Sequence, residues 1–254
     1  MVSNLKTKGQ IALMARSGSI LADILKKLVQ AATPGIATKQ LDDLAFQLCK
    51  EYEVKPAFYT YKGFPASLCV SVNDEVVHGI PGPRILQTGD LVSLDMGVIY
   101  KGWYSDSAVT IILKPEAQNL KLDDQRFKLL EVAREALRLG IQQARPGNHV
   151  GDIGHAVQSY VEKQGFGVVR DLVGHGIGKS LHERPHVPNY GSPGEEEELR
   201  EGMVICIEPM IAAGDWHVAT DKDNWTVRTK DGSLAAHFEH TVAVMKDVAQ
   251  ILTK

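Results

Sequence analysis

The sequence has no excess of either charge: 28 Lys and Arg stand against 31 Asp and Glu over 254 residues, a net charge of −3. Nucleic-acid binders carry clustered basic residues, so no nucleic-acid partner is expected. Long apolar runs are missing too. No stretch of about 18 uninterrupted apolar residues occurs, and Arg16, Asp23, Lys26 and Lys27 break up the region where a signal peptide would have its apolar core. Neither a membrane span nor a secretion signal is expected, and the cytoplasm is the expected location. Cysteine is scarce. Cys49, Cys69 and Cys206 are odd in number, far apart and set in apolar patterns, which suits reduced thiols and excludes a disulfide framework or a zinc cluster. No Gly-x-Ser-x-Gly elbow and no His-Glu-x-x-His zinc helix is read, which counts against serine-hydrolase and zincin chemistry. Gly174-x-Gly176-x-Gly178 lacks the spacing of a phosphate loop, and the four adjacent acids at 195–198 read as a solvated segment.

What is present is a chain with 44% hydrophobic residues, enough to bury a substantial core. Ile11, Met14, Gly18, Leu21, Leu25 and Leu28 recur at helical spacing until Thr33-Pro34-Gly35 stops them. A second helix is expected from Thr38 as N-cap, with Leu41, Leu44, Ala45, Leu48 and Tyr52 on one face. Strands and turns follow from about 66 to 110. A third helix, opened by Asp123 or Asp124, carries Phe127, Leu130, Ala133, Leu137 and Ile141, and a fourth runs from about Val150 to Lys163 with Gly165 as its stop. Strands then dominate to the end.

That order occurs twice. Pro34-Gly35 and Leu41 match Pro146-Gly147 and Ile153 at an offset of 112; Gly89-Asp90-Leu91-Val92-Ser93-Leu94-Asp95 matches Gly202-Met203-Val204-Ile205-Cys206-Ile207-Glu208 at 113. We therefore expect one domain over 1–254, built from pseudo-twofold halves of about 1–120 and 121–254, each giving an acid-ended strand to a shared sheet.

Asp95, Asp106, Glu208 and Glu239 stand in strand-like apolar runs, where an ionised carboxylate persists only if cations or hydrogen bonds replace its hydration. With His175, set among three glycines, they form an oxygen-rich group suited to two divalent ions about 3.5–4 Å apart. Asp95 and Asp106 flank a turn near Tyr100-Lys101-Gly102. A loop at Tyr100-Lys101 sets 95 opposite 106, and one at Lys101-Gly102 sets 95 opposite 108; either register puts both carboxylates on one face. His78 and His182 are further candidates. His149, His155, His186, His217 and His237 read as surface or structural residues, and His240 as a packing residue on the face opposite Glu239.

These residues, with Asn73-Asp74-Glu75-Val76-Val77-His78-Gly79-Ile80-Pro81, Gly174-His175-Gly176-Ile177-Gly178, Ile207-Glu208-Pro209-Met210, Trp225-Thr226-Val227 and Glu239-His240-Thr241, closely resemble the type I methionine aminopeptidases of the pita-bread metallohydrolase fold. The resemblance covers essentially the whole chain. It implies an α+β fold with a central antiparallel sheet flanked by helices, and Asp95, Asp106, His175, Glu208 and Glu239 as ligands of two divalent ions, Asp106 and Glu239 bridging. It places His78 and His182 beside the scissile amide, with Glu208 as proton carrier, and Tyr61, Phe64, Cys69 and Trp225 around the methionine side chain. The implied activity is removal of initiator methionine from nascent or new proteins, preferably before a small second residue.

Two positions depart from the family pattern. Gly97 stands where Thr is common, and Leu181 where an aromatic residue precedes the second histidine. The 30 residues between Glu208 and Glu239 leave no room for the helical insertion of type II enzymes, and no zinc-binding N-terminal extension is expected, so the chain reads as a compact bacterial or organellar form. A monomer is expected; ribosome association and the choice among Mn, Fe, Co and Zn stay open. Two other readings compete with it: a proline-specific aminopeptidase or dipeptidase, which would share the five ligands, and a metal-free binding protein of the same fold, against which the presence of all five ligands argues.

Overall fold

A computed structural model describes residues 4–113 and 124–254. Helices α1 (Lys8–Ala31) and α2 (Thr38–Glu51) lead into strands β1 (Lys55–Pro56), β2 (Cys69–Val72), β3 (Glu75–Val77), β4 (Leu91–Tyr100) and β5 (Trp103–Ile112). Helices α3 (Asp124–Gln143) and α4 (Val150–Lys163) follow. Strands β6 (Gly167–Val168), β7 (Gly174–Gly176), β8 (Glu183–Val187), β9 (Val204–Ile207), β10 (Met210–Ala212), β11 (Val218–Thr220) and β12 (Val227–Thr229) come next. The chain ends with β13 (Ala235–His237), β14 (Glu239–Ala243) and β15 (Gln250–Ile251).

The expected helices form close to their expected bounds, with two differences in detail. Thr38 is the first residue inside α2 rather than its cap: Ala37 holds the N-cap position and the Gln40 side chain accepts its N–H, while Thr38 Oγ1 donates to the Gly82 carbonyl. Phe127 is 39% exposed, and Leu129 and Leu130 are the residues of the first α3 turns that enter the core. The proposed Asp123 start and the boundary near 120 lie outside the described residues.

All pairings in the main sheet are antiparallel, in the order β1-β4-β5-β14-β9-β7-β8, with β2 beside β4 and β15 beside β14. Two small sheets, β13-β10-β6 and β11-β12-β3, flank it. Alternation sorts the side chains of the main sheet. Val92, Leu94, Met96 and Val98 of β4 join Leu21, Ile24, Leu28, Leu41 and Ala45 of the first helix pair, and Ile205 and Ile207 of β9 join Leu129, Ala133, Ile153 and Val157 of the second. The positions in between, Asp95 on β4 and Cys206 on β9, turn to the other face.

The offset read in the sequence reappears in backbone hydrogen bonds. Gly35 N–H donates to Leu86 O and Gly147 N–H to Leu199 O; Thr38 N–H donates to Arg84 O and Val150 N–H to Glu197 O. Gly35 and Gly147 both have left-handed φ, +93° and +87°, as do Gly89 and Gly202 at +91° and +93°. Glycine adopts this conformation without the Cβ clash that other residues meet, so the matched glycines mark matched turns.

One tie links a helix to the sheet edge. Buried Asp42 of α2 accepts from Ser67 N–H at 2.8 Å, Ser67 Oγ–H at 2.7 Å and Leu68 N–H at 3.2 Å, all through Oδ1. Asp42→Ala strands these donors, and we expect a loss of about 1–3 kcal/mol in urea unfolding of the metal-free protein. A midpoint and slope equal to wild type would show that this tie carries no stability.

Candidate metal centre

The β4/β5 hairpin settles which of the two registers forms. Its loop is Lys101-Gly102, so Tyr100 pairs with Trp103, Asp95 with Ala108, and Gly97 with Asp106. Asp106 is the diagonal neighbour of Asp95, on the same face. On the other side of β5, Glu239 pairs with the same Ala108, which sets Asp95, Ala108 and Glu239 in one row across three strands. Glu208 follows the last paired residue of β9, Ile207, which lies opposite His240.

Strands β5 and β14 pair at only two positions before the ladder opens, and hydroxyl side chains bridge the gap. Thr241 Oγ1 donates to Asp106 O at 2.7 Å and accepts from Asp106 N–H at 2.9 Å; Ser107 Oγ donates to Glu239 O at 2.8 Å. The backbones that carry two of the acids are thus fixed from below. His240 points the other way, to Thr253 Oγ1 at 2.9 Å, as its parity requires.

His175 completes the group from β7. Its Nδ1 lies 2.9 Å from Gly176 O, and since a carbonyl only accepts, the proton sits on Nδ1 and leaves the Nε2 lone pair aimed outward. Nε2 is 3.6 Å from Glu208 Oε1 and 3.9 Å from Asp106 Oδ2. Gly176 is required here by packing: a Cβ would stand 2.1 Å from Arg184 O.

Crowding these charges in a dry site shifts every one of them. Burial raises Asp106 to about 7 against a partial offset from the Ser107 N–H. Burial, then Asp106, raises Asp95 well above the carboxylate range; burial, then the other acids, does the same to Glu208 and Glu239. His175 is lowered to about 3, chiefly by burial and then by His182. Asp95 Oδ1, Asp106 Oδ1 and Glu239 Oε1 are buried with no hydrogen-bond partner among the described residues. Buried carboxylate oxygens rarely go unmatched, and an oxygen-rich set facing an imidazole lone pair fits divalent cations.

All eleven residues singled out from the sequence line one cavity of about 210 Å³. At its far end Phe64 meets Trp225 edge-on at 5.1 Å between ring centroids, with Cys69 opposite Asp95 on β2. At its mouth His182 stacks on Tyr61 and its Nδ1 lies 2.8 Å from the Tyr61 hydroxyl. His78 follows β3 with φ of +60°, a strained value for a residue with a Cβ, of the kind that collects at functional sites. The two departures from the family pattern also fall here. Leu181 lines the cavity, and the space beside Gly97 is filled by neighbours, since a Cβ would meet Ala57 Cβ at 2.9 Å and Phe58 Cε1 at 3.0 Å.

Three sequence readings need correction. The letters His-Glu-x-x-His do occur, at His182-Glu183-Arg184-Pro185-His186, but on extended β8 and its approach, so the two histidines do not share a helix face. Cys206 is more than a core thiol: its Sγ and ligand atoms of Asp106, His175 and Glu239 all lie within 4.8 Å of one another. Period-two alternation with Glu208 could have revealed it. His237, read as a surface or structural residue, is buried and lies beside an acid of the group, with Nε2 3.7 Å from Glu208 Oε2.

These shifts set how a divalent ion competes with protons. His175 is already unprotonated well below neutrality, whereas Asp106 keeps its proton up to about pH 7. Lowering pH below 7 therefore weakens binding through the acids and not through the imidazole. Apparent Mn²⁺ affinity should rise with pH, about tenfold per pH unit for each proton displaced. Calorimetry in buffers of different ionisation enthalpy measures the released protons; a pH-independent affinity with no release would contradict the scheme.

The model for metallopeptidase family M24 matches residues 12–246. The methionine aminopeptidase of Clostridium acetobutylicum is 46% identical over 250 residues, covering 98% of each chain. Among solved structures, the methionine aminopeptidases of Thermotoga maritima and Rickettsia prowazekii match with TM-scores of 0.95 and 0.96 at 42% and 39% identity, each over 100% of both chains. A metallopeptidase match and a buried Asp, His, Cys and Glu group together support divalent metal binding by this site. By its sequence over nearly full length and by its antiparallel sheet with flanking helices, the chain belongs to the methionine aminopeptidases of metallopeptidase family M24.

Proposed function

We propose that Asp95, Asp106, His175, Glu208 and Glu239 hold two divalent ions, with Asp106 and Glu239 shared between them, at the centre of a single catalytic domain over 1–254. The activity is that of a methionine aminopeptidase, metal-dependent removal of the N-terminal methionine from a polypeptide. The observation that carries the site assignment is the row of buried, unpartnered carboxylate oxygens facing the His175 lone pair in a cavity whose other end is aromatic and sulfur-lined. When bound, the ions activate a water molecule and polarise the scissile carbonyl.

The chain's own groups do the rest. Phe64, Trp225, Tyr61 and Cys69 form a slot in which a flexible, polarisable thioether packs well. A substrate seated there places its first peptide bond between the acids and the two histidines. Glu208, whose carboxyl stays basic because burial and the neighbouring acids favour its protonated form, takes a proton from the attacking water and returns it to the leaving amine. His182 is neutral, since desolvation and then Lys62, His78 and His186 hold its pKa down, so it meets the developing oxyanion as a hydrogen-bond donor from Nε2 with Tyr61 at Nδ1. His78, also kept neutral by burial, steadies the substrate amide.

The reading extends to context. The family's name fixes only methionine at the first position; preference for a small second residue is carried over from the resemblance to type I methionine aminopeptidases. Three buried, free cysteines suit a reducing compartment, and we place the enzyme in the cytoplasm or an organellar matrix.

Hydrolysis of Met-Ala-Ser and of Ala-Pro peptides separates the alternatives. We expect Met-Ala-Ser turnover that chelation abolishes and a divalent ion restores, with no Ala-Pro cleavage. Removing the donor in His182→Ala should lower kcat about 10²–10³-fold. Ala-Pro cleavage would indicate a proline-specific enzyme, and inactivity with every divalent ion would indicate a binding protein.

A further inference from the structure

The Glu208 carboxylate lies between two imidazoles, and the assignments above use only one of them. Oε1 faces His175 Nε2 at 3.6 Å, on the side of the acid cluster. Oε2 faces His237 Nε2 at 3.7 Å, and His237, unlike His175, does not line the cavity. The His237 side chain is 2% exposed, and neither of its ring nitrogens has a hydrogen-bond partner among the described residues. An imidazole buried in this way loses its hydration with nothing in return, so a sheet core without a task for it would favour an apolar residue.

The surroundings fix where that ring sits. Thr110 Oγ1 accepts from the His237 N–H at 2.8 Å and donates to its carbonyl at 2.7 Å, and His237 pairs with Met210 across β10 and β13. Glu208 is placed differently. It lies between β9 and β10, followed by Pro209, with its carbonyl held by Asn189 Nδ2 at 3.0 Å, while its carboxyl group has no hydrogen-bond donor among the described residues. The terminal torsion of a glutamate is soft, so its two oxygens can exchange places unless something distinguishes them. The gap of 3.7 Å exceeds a hydrogen bond by roughly half an ångström, which a small rotation of that torsion closes.

We propose that His237 is a positioning residue that donates its Nε2–H to Glu208 Oε2 and so presents Oε1 alone to the metal cluster. This rests on the reading of Glu208 as metal ligand and proton carrier. With Oε2 tied, the carboxylate binds through one defined oxygen and its lone pairs keep a fixed direction toward the substrate. Partners of metal ligands that act in this way typically change affinity or activity about 10–100-fold when removed.

The test compares His237→Leu, which fills the space without a donor, His237→Gln, which restores an N–H, and Glu208→Gln, in the full-length protein. The measurements are Co²⁺ affinity by calorimetry, the visible absorption of the Co²⁺ form, kcat and KM for Met-Ala-Ser, and melting without metal. H237L should weaken Co²⁺ binding or lower kcat about 10–100-fold and alter the Co²⁺ spectrum, with KM within about twofold. Its metal-free melting temperature should equal or exceed wild type, because an unmatched buried polar group has been removed. H237Q should recover most of the loss. Wild-type kcat, affinity and spectrum in H237L would overturn the proposal, as would H237Q impaired to the same degree as H237L. A metal-free melting loss that parallels the activity loss would also overturn it, since that marks packing alone. An E208Q variant with wild-type turnover overturns the Glu208 assignment itself; an inactive E208Q beside a fully active H237L overturns only the role of His237.

Discussion

The structure depends on keeping four acids together in a place where water cannot screen them. Asp95, Asp106, Glu208 and Glu239 share one cavity; burial raises the pKa of each toward the protonated form, and the neighbouring acids add to the shift of Asp95, Glu208 and Glu239. Such a group does not assemble for its own stability; the surrounding sheet has to impose it. Two apolar layers do so, one under each helix pair, by fixing the parity of β4, β5, β9 and β14. Strain concentrated in one small site is offset by the packing of the rest of the chain.

The same repulsion accounts for the chemistry. Unpartnered oxygens that cannot all ionise side by side suit divalent cations, whose charge would relieve the repulsion. The threonine and serine hydroxyls between β5 and β14 hold the backbones of Asp106 and Glu239 without using up the carboxylates, which leaves those oxygens for the site. His175 follows the same division, with Nδ1 committed to a carbonyl and Nε2 left for the centre. The other end of the cavity is aromatic and apolar, a short distance from this charge.

The site draws its acids from both halves of the chain. The halves repeat turn glycines and helix-entry hydrogen bonds at an offset of 112 to 113 residues, and β5 meets β14 where they join. Both halves bring an acid to the end or middle of an equivalent strand, Asp95 in one and Glu208 in the other. The two halves thus supply carboxylates from two sides, while His175, on β7, comes from the second half alone and makes the group asymmetric.

Much of this was legible in the residue order. A carboxylate inside Val92-Ser93-Leu94-Asp95-Met96 is costly enough to announce itself, and period-two alternation put Asp95 and Asp106 on one face whichever loop closed the hairpin. Helix bounds were readable because Gly and Pro punctuate them. Phe127 was misread because an apolar residue in the first turn of a helix can overhang the core without entering it. Cys206 and His237 went unrecognised for a related reason: both sit on ordinary-looking strands, and their proximity to Glu239 and Glu208 depends on strands that are neighbours in space but not in sequence. Local spacing determined which face each side chain takes, because alternation is a property of the strand itself. Only the tertiary structure decided which faces meet, because the pairing of β5 with β14 and of β9 with β7 joins segments more than a hundred and about thirty residues apart.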